Sequence, residues 1–102
     1  MHLDFAVVAD YALVDQAGKI SVLGIFQHIW VQQFPAMHPR LHLVLRLKGK
    51  RTEIEAAAVL VFDVPFPHPG VYRFDITVDG ERAAQVPITV SQMPQPESGT
   101  PR

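Results

Sequence analysis

Apolar and polar residues alternate with a period of two through most of the chain, in short runs rich in Val, Ile, Phe, Tyr and Thr broken by Gly, Pro and Asp. That period places successive side chains on opposite faces of a pleated strand, so the pattern predicts an all-β domain and not alternating helices and strands. About six antiparallel strands are expected, stacked as a small immunoglobulin-like β-sandwich. The first runs from Leu3 to Val14 with a bend near Asp10, and Asp15-Gln16-Ala17-Gly18-Lys19 turns it into a second from Ile20 to Val31. Gly24 marks a bulge or a close backbone approach. Phe34 to Pro39 reads as a loop, because Pro35 and Pro39 have no place inside a central strand.

Leu41, Leu43, Leu45 and Leu47 alternate with His42, Val44, Arg46 and Lys48, which puts the leucines on a core face and leaves a wet face behind them. After the charged turn Lys48-Gly49-Lys50-Arg51-Thr52, both alternating sets from Ile54 to Phe62 are apolar, so that strand is expected to be covered on two sides. Its start, Glu53 to Ala58, has helix propensity, but Val59-Leu60-Val61-Phe62 follows without a break and decides for strand. In the closing hairpin Tyr72, Phe74, Ile76 and Val78 form one apolar row and Ala84, Val86, Ile88 and Val90 the other. A two-residue Asp79-Gly80 turn in regular register turns these rows to opposite faces, so a three-residue loop Val78-Asp79-Gly80 with Thr77 opposite Glu81 is predicted. Pro87 on the outward row predicts an edge or a bulge there. The domain is expected to span 1–91, and 92–102, with three prolines and no alternation, reads as a Pro-rich tail.

Composition removes several function classes. A chain of 102 residues holds one modest core. With no cysteine there is neither a disulfide framework nor a thiolate site. Nine Lys and Arg against ten Asp and Glu give a net charge of −1 without a basic stripe, so no nucleic-acid partner is expected. The apolar runs Phe5 to Ala9 and Ala56 to Phe62 are far short of the ~20 residues that cross a bilayer, so no membrane contact is expected either. The start Met1-His2-Leu3-Asp4 lacks the basic head of a signal peptide, and a cytoplasmic location is the expectation.

Two blocks stand out together: Ala9-Asp10-Tyr11-Ala12 through Gly18-Lys19-Ile20-Ser21-Val22-Leu23-Gly24 with Trp30, and Pro69-Gly70-Val71-Tyr72-Arg73-Phe74 through Val78-Asp79-Gly80 to Val86-Pro87-Ile88. They resemble an uncharacterised bacterial family of unknown function that opens on an "AD…GKLyVLG…W" pattern and closes on "PGrYrF…vDGe…vPf.V". The resemblance implies no activity, cofactor or catalytic residue. It also implies a shortened form: between Glu53 and Ala57 roughly 20–30 residues, enough for one or two strands, are missing by the usual strand spacing of a sandwich.

The candidate chemistry is thin. His38 and His42 are four apart, a spacing that suits a zinc pair on a helix but not a Pro39-containing loop entering a strand. Asp63, Asp75 and Asp79 lack the alternating oxygen ligands of a calcium loop, so no metal and no cofactor is expected. Asp10 and Asp15 read as acceptors of backbone hydrogen bonds in the first turn, and His68 as a solvated turn residue. Ser21, Ser91 and Ser98 have no glycine-bracketed elbow, and Tyr72 reads as a corner residue whose hydroxyl bonds nearby backbone. The expectation is therefore a non-catalytic module that acts through protein contacts: a homo-oligomer, or a partner joined by edge-strand addition. Phe26, Trp30, Val59, Leu60, Val61 and Phe62 are the expected contact residues. The alternative is a small-ligand or glycan-binding module that uses Phe26, His28 and Trp30 as one aromatic row.

Overall fold

The computed structural model describes residues 2–49 and 55–94. Among them are seven strands and no helix: β1 His2–Val14, β2 Ile20–Ile25, β3 His28–Val31, β4 Ala36–Lys48, β5 Glu55–Phe66, β6 Gly70–Val78 and β7 Glu81–Gln92. One sheet has the order β2-β1-β4-β5 and the other β3-β7-β6. The core lies between them, where Val8, Leu41 and Leu43 join Ile29, Phe66, Ile76, Ile88 and Val90. The leucine row of β4 and the two apolar rows of the closing hairpin thus face one another, as the alternation predicts.

The predicted second strand is two. The chain leaves the first sheet after Ile25, crosses at Phe26-Gln27 and enters the second sheet as β3, which pairs with β7 in parallel, His28 beside Thr89. The ladder is therefore not wholly antiparallel. Phe26 N–H donates to the Val8 carbonyl and Thr89 N–H to that of Gln27, so both sheets anchor the crossing.

Prolines sit inside three strands: Pro65 in the edge strand β5, and two in strands that have a neighbour on each side. Pro39 lies within β4, and Pro87 within β7, the middle strand of its sheet. Each position has one ladder only: β1 reaches β4 no further than His42, and β3 begins on β7 at Thr89, so neither missing N–H is called on. Next to Pro39 the β4–β5 register shifts between His38 and Leu41, and Arg40 takes a positive φ of 52°. Arg40 is held there by its N–H on Asp63 Oδ1 at 2.9 Å and by its carbonyl, which accepts from His42 Nδ1–H at 2.8 Å.

The closing turn has two residues, not three. Asp79 and Gly80 both have positive φ, 52° and 81°, which is the combination of a type I′ hairpin, and Val78 pairs with Glu81. Parity is restored one step later: Ile76 pairs with Ala84 and Thr77 with Arg82, so Ala83 is the extra residue of a β-bulge. Both rows reach the core as expected, by a different device. The strand β7 also runs through Gln92, and Met93 N–H donates to the Val31 carbonyl, so ordered pairing continues past the predicted domain end at residue 91. Residues 95–102 and most of the predicted charged turn lie outside the described residues.

Other local expectations hold. Asp15 Oδ1 accepts from the N–H groups of Ala17 and Lys19 at 2.8 and 2.9 Å, and Gly18 takes a φ of 80° in that turn. Gly24 has a φ of 70°, and a Cβ there meets Asp10 Oδ2 at 2.6 Å, so the close approach is to the Asp10 side chain. Tyr72 donates its hydroxyl to the His68 carbonyl at 2.6 Å and sets its ring edge-on to Phe66 at 4.7 Å, tying the β5–β6 corner to the core. Asp10 is placed against Gly24 and not in the first turn.

Candidate interaction surfaces

The face of the four-stranded sheet that points away from the core is built row by row from the register. Ile25, Ala9, His42 and Val61 lie side by side across all four strands, and Val7, Val44 and Val59 form the next row. Tyr11 stands opposite Leu23 one step towards the β1–β2 turn. The predicted wet face behind the leucines is therefore wet only at its far end. There Arg46 pairs with Glu55, and Lys48 reaches Asp4 at 3.6 Å and Glu55 at 3.9 Å.

Ala9 and Val44 have no exposed surface, although none of the described strands forms a second layer on this side. Neighbouring strands screen them, and the Tyr11 ring tilts over His42 with centroids 5.4 Å apart. His42 is buried yet satisfied, since Nδ1–H has the Arg40 carbonyl. Around this closed centre the larger side chains stay exposed: Leu23 by 67%, Ile25 by 61%, Tyr11 by 46% and Val61 by 45%. The expectation that the fifth strand is covered on two sides is thereby overturned. β5 is an edge strand, and Leu60 and Phe62 on its inner row are exposed as well.

The six predicted contact residues fall in four places. Val59 and Val61 belong to the outer face just described, while Leu60 and Phe62 point inward at the open side, where Phe62 meets Phe74 at 5.5 Å. Phe26 packs against the core from the crossing segment, and Trp30 stands on the outer side of the second sheet. Leu23, Ile25 and Tyr11 were not among the predicted residues. Their signal was present as apolar odd positions, Tyr11 and Leu13 on one strand and Leu23 and Ile25 on the next, but only the register shows that they share a face with Val61.

The aromatic row is likewise divided. His28 and Trp30 stack at 4.2 Å with their planes 8° apart, and His28 Nε2 shares a hydrogen bond with Ser91 Oγ at 2.8 Å. Phe26 is not in that row, because the chain crosses between the sheets just before it begins. Its ring lies 5.4 Å from that of His38, in a shallow depression shared with Asp10, His28 and Ile29. No hydrogen bond joins Asp10, His28 and His38 there, and no group of three or more His, Asp or Glu among the described residues is placed to hold a metal ion.

The match to a family model now has a structural meaning. A model for a family of unknown function, DUF6941, matches residues 4–61. The chain belongs to this family. The DUF6941 match takes in β1 to β4 and the first half of β5, hence the whole crossing and most of the sheet with the apolar outer face. The closing hairpin lies beyond the matched residues. No curated protein and no solved structure matches the chain.

Proposed function

We propose that this DUF6941 chain is a non-catalytic, immunoglobulin-like β-sandwich that works through protein contacts, first of all with another copy of itself, in the cytoplasm. The observation that carries the reading is the outer face of the β2-β1-β4-β5 sheet, with Leu23, Ile25, Tyr11 and Val61 exposed around a closed apolar centre. A sheet face of this composition buries most when it meets a like face, and a two-fold axis through it presents the same side chains from both copies. The Tyr72 corner supports the immunoglobulin-like comparison, as does the direct β4–β5 pairing where a longer sandwich places further strands. No helix among the described residues is long and apolar enough to cross a membrane.

Light scattering at micromolar concentration tests the proposal. A species larger than the monomer is expected, reduced in size by Val59→Lys and Val61→Lys; a monomer unaffected by either substitution overturns it.

A second reading has its own observation. The His28–Trp30 stack leaves Trp30 55% exposed beside Ser91 and Thr89, an aromatic surface edged by hydroxyls of the kind that sugars stack on. Quenching of the single tryptophan by members of a glycan panel supports this reading, and an unchanged emission spectrum throughout the panel excludes it.

A further inference from the structure

The second sheet ends on β6, and this edge is unusually regular. From Val71 to Val78 it contains no proline and no positive φ, and the bulge of the closing hairpin lies on β7, leaving β6 unbroken. The other edges are less suited to pairing. β5 carries Pro65, β2 carries Gly24 with its positive φ, and β3 has four residues. Along its nine residues every second N–H and C=O points away from β7, a template for another strand.

The side chains on β6 say which strand. Gly70–Val78 has its midpoint at Phe74, with Arg73 on one side and Asp75 on the other. Across the β7 ladder Arg73 faces Pro87 and Asp75 faces Gln85, so neither meets an opposite charge there. An antiparallel copy of β6 centred on Phe74 supplies one to each: Arg73 opposite Asp75 of the second copy, and Asp75 opposite its Arg73. On the inner row Phe74 meets its own equivalent, and Tyr72 meets Ile76, beside the exposed ring of Phe62. Charges on an edge strand commonly prevent pairing, but a +/− couple symmetric about the strand centre is self-complementary: the same sequence run in reverse neutralises both charges.

We infer that β6 is a homodimerisation edge, pairing antiparallel with β6 of a second copy in the register Phe74 to Phe74, so that two three-stranded sheets become one of six. The inference rests on the self-association reading above but uses a different surface from the outer face of the first sheet. The two contacts are therefore separable.

Sedimentation equilibrium of the full chain decides it, with circular dichroism to verify that each variant is folded. Arg73→Asp and Asp75→Arg each place like charges opposite one another twice per dimer, and each is expected to weaken association by at least about tenfold. The double variant restores both couples and is expected to return to within about threefold of the wild type. Single variants that weaken without rescue in the double overturn this register. Val61→Lys reducing the size of the assembly while all three charge variants behave as wild type overturns the edge and leaves the outer-face reading standing. The charge pattern appearing while Val61→Lys has no effect does the reverse. A wild-type chain that sediments as a monomer even at high micromolar concentration overturns both.

Discussion

On the inner face of the β2-β1-β4-β5 sheet, Val8, Leu41 and Leu43 lie in one cluster with Ile76, Ile88 and Val90 of the opposing sheet. On the outer face, Val7, Val44, Val59 and Val61 occupy the same strands one position out of step, with no described strand above them. The residue types are nearly the same, so hydrophobicity alone does not say which side is the core. The difference comes from topology. The crossing at Phe26-Gln27 and the corner at Tyr72 deliver all three strands of the second sheet to one side, and no described strand is delivered to the other.

The sharpest way to break the comparison is to place the same charge on each face. Leu43→Lys puts an unpaired ammonium into the core and is expected to cost several kcal/mol, a large part of the ~5–15 kcal/mol that holds a domain of this size, seen as loss of the cooperative urea transition. Phe66→Ala removes the largest fully buried ring and is expected to cost about 3–5 kcal/mol by the same measurement. Tyr72→Phe keeps the ring against Phe66 but removes the hydroxyl donor to the His68 carbonyl. It is expected to cost about 1 kcal/mol, read as a fall in Tm of roughly 4–8 °C. Val61→Lys lies at the other end of the scale: the stability of the monomer is expected to stay within about 0.5 kcal/mol while the size of the assembly changes. A Val61→Lys cost as large as that of Leu43→Lys contradicts the view that the outer face is finished only by a partner.

Much of the architecture is legible from alternation. The leucines of β4 and the two rows of the closing hairpin point to the core without any knowledge of their neighbours, because the period of two is a property of one strand. Where the reading departs from the structure, the cause is a second strand that sequence does not display. Pro39 and Pro87 look incompatible with strands that have two neighbours, and are accommodated because one of the two neighbours stops short of each. The break between β2 and β3 carries no Gly or Pro, so the chain changes sheets without local punctuation. Parity demands one extra residue in the hairpin, expected in the turn; a type I′ turn matches the strand twist instead, and the extra residue is Ala83. The outer-face patch was the least legible feature, since Ile25 and Val61 are adjacent to one row only through Ala9 and His42.

The parallel contact between β3 and β7 sets an order of events during synthesis. His28 finds its ladder partner at Thr89, about sixty residues downstream, and β3 has no other neighbour among the described strands. While the ribosome is still making β4 to β6, Ile29 and Val31 wait without a place to go, and the second layer closes only once the strand ending at Gln92 has emerged. A nascent chain stalled before Thr89 therefore exposes the inner leucines of β4, and is the species on which a chaperone has most to hold.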